Sequence, residues 1–337
     1  MTAAALRRSV PERGLRPVDP RADMKGMADL IEVAFAERLD ESGRRMVRSM
    51  RAFGRWGWLG WALGHLFLPP AAYPEGYVWI EDGRLVGNAS LMRADLGSKR
   101  WVLINVAVAP EWRRQGIAGA MVEACLDQTR RQGAGEVLLQ VDADNRGAQE
   151  LYRRLGFRLS AVRGTWSRRT PRLAAPRESP ARRRRPGEAG DQLTLAKAVC
   201  PEGLLWPRPL DPDVFRRSFA WGTGAHWVWP AEGPLQAFLS AFPGYESAEV
   251  HLILVISPTA LGRAEAPLLD LVLAEMPARS GEFRLEAAGE MDGAVLQERG
   301  FELERKLAWM SIRLGPAPTT LADGGGALPA PRQRRKA

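Results

Sequence analysis

Cysteine and histidine are scarce in these 337 residues: two of the first, Cys125 and Cys200, and three of the second, His65, His226 and His251. Two cysteines cannot build the disulfide framework of a small secreted fold. Neither they nor the histidines stand at metal-ligand spacing, so no metal is expected. A reducing, cytoplasmic compartment is the simplest setting for such a chain. Long apolar runs are missing as well. The longest uncharged stretch, WGWLGWALGHLFLPPAAYP from Trp56 to Pro74, is broken by glycines, a histidine and a Pro-Pro pair, and does not read as a transmembrane helix. The first residues, MTAAALRRSVPERG, hold no apolar core of signal-peptide length, and 1–16 read as a flexible arm.

What is present suffices for two domains of ordinary size. Hydrophobic residues make up 45% of the chain, which excludes a wholly disordered polymer. The net charge of +9 is unevenly placed. Nine arginines face a single acid between Arg163 and Arg185, and the tail RQRRK adds four more cations. The rest of the chain is slightly acidic. A solvated linker and a solubilising tail are the plain reading of these runs; contact with nucleic acid through them is the sharper one.

Apolar periodicity organises residues 17–168 as β-α-α-β-β-β-α-β-α-β, an α+β domain. Met27, Leu30, Ile31, Ala34 and Phe35 line one helix face, an Asp-Gly turn joins two strands near residue 82, and a helix runs from about Ile117 to Arg131. An Arg/Pro-rich linker is expected over 169–192, a second folded region over 193–315, and a disordered basic tail over 316–337. The second region repeats the first in outline: EVHLILVISP answers WVLINVAVAP, and both final helices stop at Gly-Phe.

Between strand and helix stands EWRRQGIAGAMV, Glu111–Val122. A glycine-bearing turn that feeds a helix N-terminus is suited to an anion, because the first helical turn leaves backbone N–H groups unpaired. Downstream follows NRGAQELYRRLGF. Together the two stretches resemble the GCN5-related N-acetyltransferase (GNAT) superfamily. Its Arg/Gln-x-x-Gly-x-Gly/Ala loop is met by Arg113, Gly116 and Ala118, and its Asn-x-x-Ala-x-x-x-Tyr-x-x-x-Gly-Phe pattern by Asn145, Ala148, Tyr152, Gly156 and Phe157.

The resemblance implies two GNAT-like domains in tandem, each with a mixed, mostly antiparallel sheet flanked by helices. It implies acetyl-CoA as co-substrate, with Arg113, Arg114, Gln115, Gly116, Ile117, Ala118 and Gly119 around the diphosphate. Val106, Ala107 and Val108, and also Asn145, would meet the pantetheine arm. Direct transfer to a primary amine, on a small molecule or a peptide, would use Tyr152 as the acid that protonates the leaving thiolate. An amphipathic core tyrosine would fit the same spacing. The family's base positions hold Val102 and Gln140, neither of which is a base, while Asp142 and Asp144 fit turn or capping duty. Trp56, Trp58 and Trp61 would line an acceptor pocket, pack a core or touch a membrane surface. In the repeat, Leu261, Ala264 and Ala266 replace Arg113, Gly116 and Ala118, while Leu296 and Gly289 replace Tyr152 and Asn145. The second copy is therefore expected to be degenerate. Two alternatives stay open: an acyl-CoA-binding regulator without catalysis, and an acetyltransferase resembling mycothiol synthase. Oligomeric state is left unassigned.

Overall fold

The computed structural model describes residues 13–36, 41–55, 75–94, 99–169, 178–200, 204–205, 208–209, 225–243, 249–276, 282–288 and 293–315. Strand β1 (Gly14–Pro17) precedes helices α1 (Met24–Ala34) and α2 (Glu41–Arg55), followed by strands β2 (Glu75–Glu81), β3 (Arg84–Arg93) and β4 (Arg100–Val108). A 3-10 turn at Pro110–Trp112 leads into α3 (Ile117–Arg131); β5 (Glu136–Asp142), α4 (Arg146–Arg154) and β6 (Arg158–Arg168) end the first half. Local chemistry accounts for much of this. The β2–β3 turn places Asp82 and Gly83 at φ 48° and 71°, the left-handed pair that a tight hairpin demands. Helix α3 buries Ile117, Met121, Val122, Cys125 and Leu126, a 3.6-residue stripe.

The second half contains β7 (Arg182–Arg183), α5 (Ala189–Val199), the short pair β8 (Leu204–Leu205) and β9 (Arg208–Pro209), β10 (Ala225–Trp229), β11 (Ala237–Pro243) and β12 (Glu249–Ile256). Helix α6 (Glu265–Glu275), β13 (Glu282–Ala288), α7 (Gly293–Gln297) and β14 (Glu302–Arg313) follow. Twelve strands form one sheet in the order β1-β2-β3-β4-β5-β14-β6-β13-β12-β11-β10-β7. The halves are thus not two separate sheets. β14, last in the chain, lies between β5 and β6 of the first half, with Trp309 opposite Gln140 on one side and Ala161 on the other. β6 in turn pairs with β13 of the second half through Thr165–Arg168. Each half gives its last strand to the other.

Alternation along the strands separates the two faces. Ala89, Leu103, Val137, Leu139, Met310, Tyr152 and the α3 stripe form one core. Val86, Ala107 and Leu30 belong to the opposite face, where α1 and α2 pack. In the second half α6 and α7 cover Trp227, Leu239, Leu285 and Trp166, while α5 covers Val228, Phe238 and Val255 from the other side. Because β6 presents Trp166 to the α6 core and Ala161 to the opposite one, α3, α4, α6 and α7 share a face and α1, α2 and α5 share the other.

The span expected to be a linker, 169–192, departs from that reading over its later part. Arg182 and Arg183 form the sheet's edge strand, and α5 begins at Ala189. The arginines there are engaged within the fold. Arg182 bonds Glu188 through both terminal nitrogens and Arg183 reaches Glu275; Arg184 bonds Gln192 and Arg185 lies 3.6 Å from Glu232. Strand β1 likewise starts inside the stretch read as an arm. The tail, 316–337, lies outside the described residues. No helix among the described residues is long and apolar enough to cross a membrane.

Candidate functional site

β4 and β5 run parallel, and their pairing covers Arg100↔Glu136 to Leu103↔Leu139 and then stops. β4 continues to Val108 and β5 to Asp142, so the two strands part into a V. The cause is visible on the other edge of β4. Its register against β3 slips between Asn88↔Ala107 and Ser90↔Ile104, placing Asn105 and Val106 opposite Ala89 alone. This is a β-bulge, and Asn105 takes φ 53°. The side chain of Asn88, fully buried, donates to the Asn105 carbonyl at 2.8 Å and pairs with the Ser90 hydroxyl. From Ile104 on, the edge of β4 that faces β5 has no strand partner among the described residues. Val106 and Val108 border that opening; Ala107 points to the α1 face.

The wide end of the V meets the start of α3. Arg114 and Gly116 both adopt left-handed backbone, φ 63° and 85°. Gly116 is the N-cap residue and no side chain caps the helix, so the N–H groups of Ile117, Ala118 and Gly119 have no partner within it. A Cβ on Gly116 would project into open space with nothing within 4 Å. Arg113 is tied down, its Nε donating to the Val108 carbonyl at 3.1 Å, and its head stays exposed. Gln115 reaches back to the Glu111 carbonyl at 3.4 Å. The result is an open cradle of unpaired N–H groups beside two exposed guanidinium groups, which fits a diphosphate.

Asn145 and Tyr152 come from the other arm of the V. Asn145 caps α4, its Oδ1 accepting from the Ala148 N–H at 3.1 Å, which leaves its amide NH2 as the group able to meet a ligand. Tyr152 is buried against Phe157, and that burial raises its phenol above the ordinary value. A phenol held protonated suits a proton donor. Asp142 and Asp144 perform turn work through their main chains, their carbonyls accepting from Asn145 and Arg146. Val102 is fully buried, and Cys125 packs under β3, its thiol pushed up to about 12 by burial. Trp56, Trp58 and Trp61 lie outside the described residues.

Sequence reasoning named Arg114 but not its left-handed backbone, and it missed two participants: Asn105 forms the bulge, and Asn88 holds that bulge from another strand. The second half shows the same scaffold without the opening. β12 and β13 pair at seven consecutive positions, Glu249↔Glu282 to Val255↔Ala288, and β11–β12 shows no register slip. Gly262 repeats the left-handed backbone of Arg114, whereas Ala264, in the place of Gly116, has φ −94°. There the Glu265 carboxylate, buried, accepts from the Gly262 N–H at 2.8 Å.

The sequence pattern of the acetyltransferase (GNAT) family matches residues 35–157. N-alpha-acetyltransferase 30 of Schizosaccharomyces pombe is 34% identical over 89 residues, 25% of this chain and 59% of that protein. The [ribosomal protein bS18]-alanine N-acetyltransferase of Escherichia coli K12 is 38% identical over 61 residues, 18% of this chain and 41% of the relative. The chain thus spans about half the length of these relatives. Among solved structures, a GCN5-related N-acetyltransferase from Sphaerobacter thermophilus superposes with a TM-score of 0.58 at 16% identity, covering 89% of this chain and 95% of that one. A tandem GNAT protein from the clavulanic acid biosynthesis pathway gives 0.51 at 18% identity, covering 90% and 99%.

Proposed function

We propose that this chain, whose residues 35–157 match the GNAT acetyltransferase family pattern, moves an acetyl group from acetyl-CoA to a primary amine in its first half. The observation that carries the proposal is the V between β4 and β5 opening onto an uncapped α3 N-terminus. Ile117, Ala118 and Gly119 direct backbone N–H groups at the diphosphate, with Arg113, Arg114 and Gln115 around it. The unpaired edge of β4 at Val106–Val108 and the Asn145 amide hold the pantetheine arm. Direct transfer follows from placing both substrates in one cleft. The amine nitrogen attacks the thioester carbonyl, a C–N bond forms, and the C–S bond breaks. The Tyr152 hydroxyl delivers its proton to the departing thiolate, and the amine's proton leaves through solvent.

In the second half the zipped β12–β13 pair and the Glu265 carboxylate support a copy without a site of its own. Titration calorimetry of acetyl-CoA into the full chain is the test. One saturable site per chain, lost in Gly116→Glu, is the expected result, because that variant sets a negative side chain where the diphosphate sits. Two sites per chain, or binding that survives the variant, would overturn the assignment. Tight binding with no turnover on any amine would favour the non-catalytic regulator.

A further inference from the structure

The α1 face of the sheet, opposite α3, has a floor beside the V made by β5, β14 and β6. Leu138, Leu307 and Trp309 form a small apolar core there, with Ala161 packed against them. Trp309 is buried and lies under the Arg163 guanidinium at 4.1 Å. Gln140 stands on this face, since its neighbours Leu139 and Val141 belong to the α3 core and Leu138 to this one. It is the first residue of β5 past the last rung shared with β4, and it sits opposite Trp309 of β14. Its side-chain nitrogen Nε2 is buried and has no hydrogen-bond partner among the described residues. A buried amide donor left unpaired is costly, and native folds rarely leave one without use. The partner that such an NH2 requires is an oxygen.

We propose that Gln140 recognises the acceptor, its amide donating to a carbonyl oxygen beside the reacting amine, so that the acceptor is the α-amine of a peptide or amino-acid amide. This rests on the acetyl-transfer reading and names its substrate class. An α-amine carries a carbonyl two bonds from its nitrogen; a lysine side chain or an alkylamine does not. Proton chemistry points the same way. An ordinary α-amine has a pKa of about 8 and a lysine about 10.4, so near pH 8 the former is substantially neutral without a base. On the two strands that form the V, Val102 and Gln140 carry no basic group. Gln140 is a positioning residue for this acceptor. It takes no part in bond making.

The test uses the full chain with acetyl-CoA and follows release of free thiol with three acceptors: alanyl-leucinamide, Nα-acetyl-lysinamide and isoamylamine. The wild type is expected to turn over the dipeptide amide with a kcat/KM at least tenfold above either of the others. Gln140→Met keeps the length and removes the donor. It should lower the dipeptide amide to the level of isoamylamine, change the acetyl-CoA Kd less than twofold, and leave Tm unchanged or higher. A wild-type preference for the lysine amide, or a preference that survives Gln140→Met, would overturn the proposal while leaving acetyl transfer intact. A fall in Tm with equal losses on all three acceptors would assign Gln140 a structural role instead. Failure of the wild type to bind acetyl-CoA would remove the underlying reading itself. The wild-type ranking stands as a test even if the variant does not fold.

Discussion

Tyr152 touches Phe157 edge to face, ring centroids 5.8 Å apart, and its phenol is held protonated by burial. Removing only the hydroxyl therefore separates packing from chemistry. Tyr152→Phe should leave Tm and the acetyl-CoA Kd nearly unchanged while kcat falls about 10²-fold or more, the usual scale of a lost general acid. A parallel fall in Tm would mark Tyr152 as a core residue only. Asn145 allows a similar separation. Asn145→Asp keeps an oxygen for the Ala148 N–H and a negative charge at a helix start, so the helix should hold. It loses the NH2, so acetyl-CoA binding should weaken several-fold; Asn145→Ala should also cost about 1 kcal/mol of stability, read by urea titration. The GNAT-like pattern Asn-x-x-Ala-x-x-x-Tyr singled out both positions in the sequence, and the cap that Asn145 places on α4 emerges from the structure. Asn88 was not legible there. Its role depends on a register slip between β3 and β4 that only pairing reveals, and its bond to Asn105 spans seventeen positions.

Helix α5 illustrates why an element can be misread. Its approach is rich in arginine, proline and glycine, and charge runs ordinarily stay in solvent. Here the partners come from elsewhere in the chain: Arg183 meets Glu275, ninety-two residues away, and Arg184 meets Gln192. The helix is fastened by a buried polar chain in which Gln192 donates to Ser240 Oγ at 2.8 Å and His226 Nδ1 lies 2.9 Å from the same oxygen. Burial first, and the Arg184 charge second, lower the His226 pKa to about 4. Between that value and the ordinary 6.5 the unfolded chain binds a proton that the folded chain refuses. Stability is therefore full above pH 6.5 and declines as pH falls towards 4, by about 3 kcal/mol at most. Urea titrations at pH 7, 5.5 and 4.5 should show this slope, flattened in His226→Gln relative to wild type. Equal slopes would mean that His226 is protonated without penalty.

On the scale of the molecule, the repeat was legible and the exchange of strands was not. The second Gly-Phe stop and the last tryptophan mark β14 as the counterpart of β6, but no local pattern says which strand lies beside it. Ala308 and Met310 of β14 are buried in the core that also holds Tyr152 and the α3 stripe, while Leu307 and Trp309 complete the opposite face. Without β14, β5 would lose its neighbour along Glu136–Asp142, and both faces beside the V would lie open to water. Leu307 lies opposite Asp142 and Arg313 opposite Glu136, so the candidate cleft of the first half is walled by the last strand of the second. A chain ending at residue 168 contains every residue assigned to acetyl-CoA, and on sequence grounds alone it should bind. The shared sheet argues otherwise: such a fragment should be insoluble or molten and show no saturable acetyl-CoA binding. Co-expression with residues 169–337 should restore one site per pair. The intact chain should unfold in a single transition, since neither half keeps its own sheet. A soluble, binding-competent 1–168 fragment, or two separate calorimetric transitions in the full protein, would show that the exchanged strands are dispensable to the cleft they line.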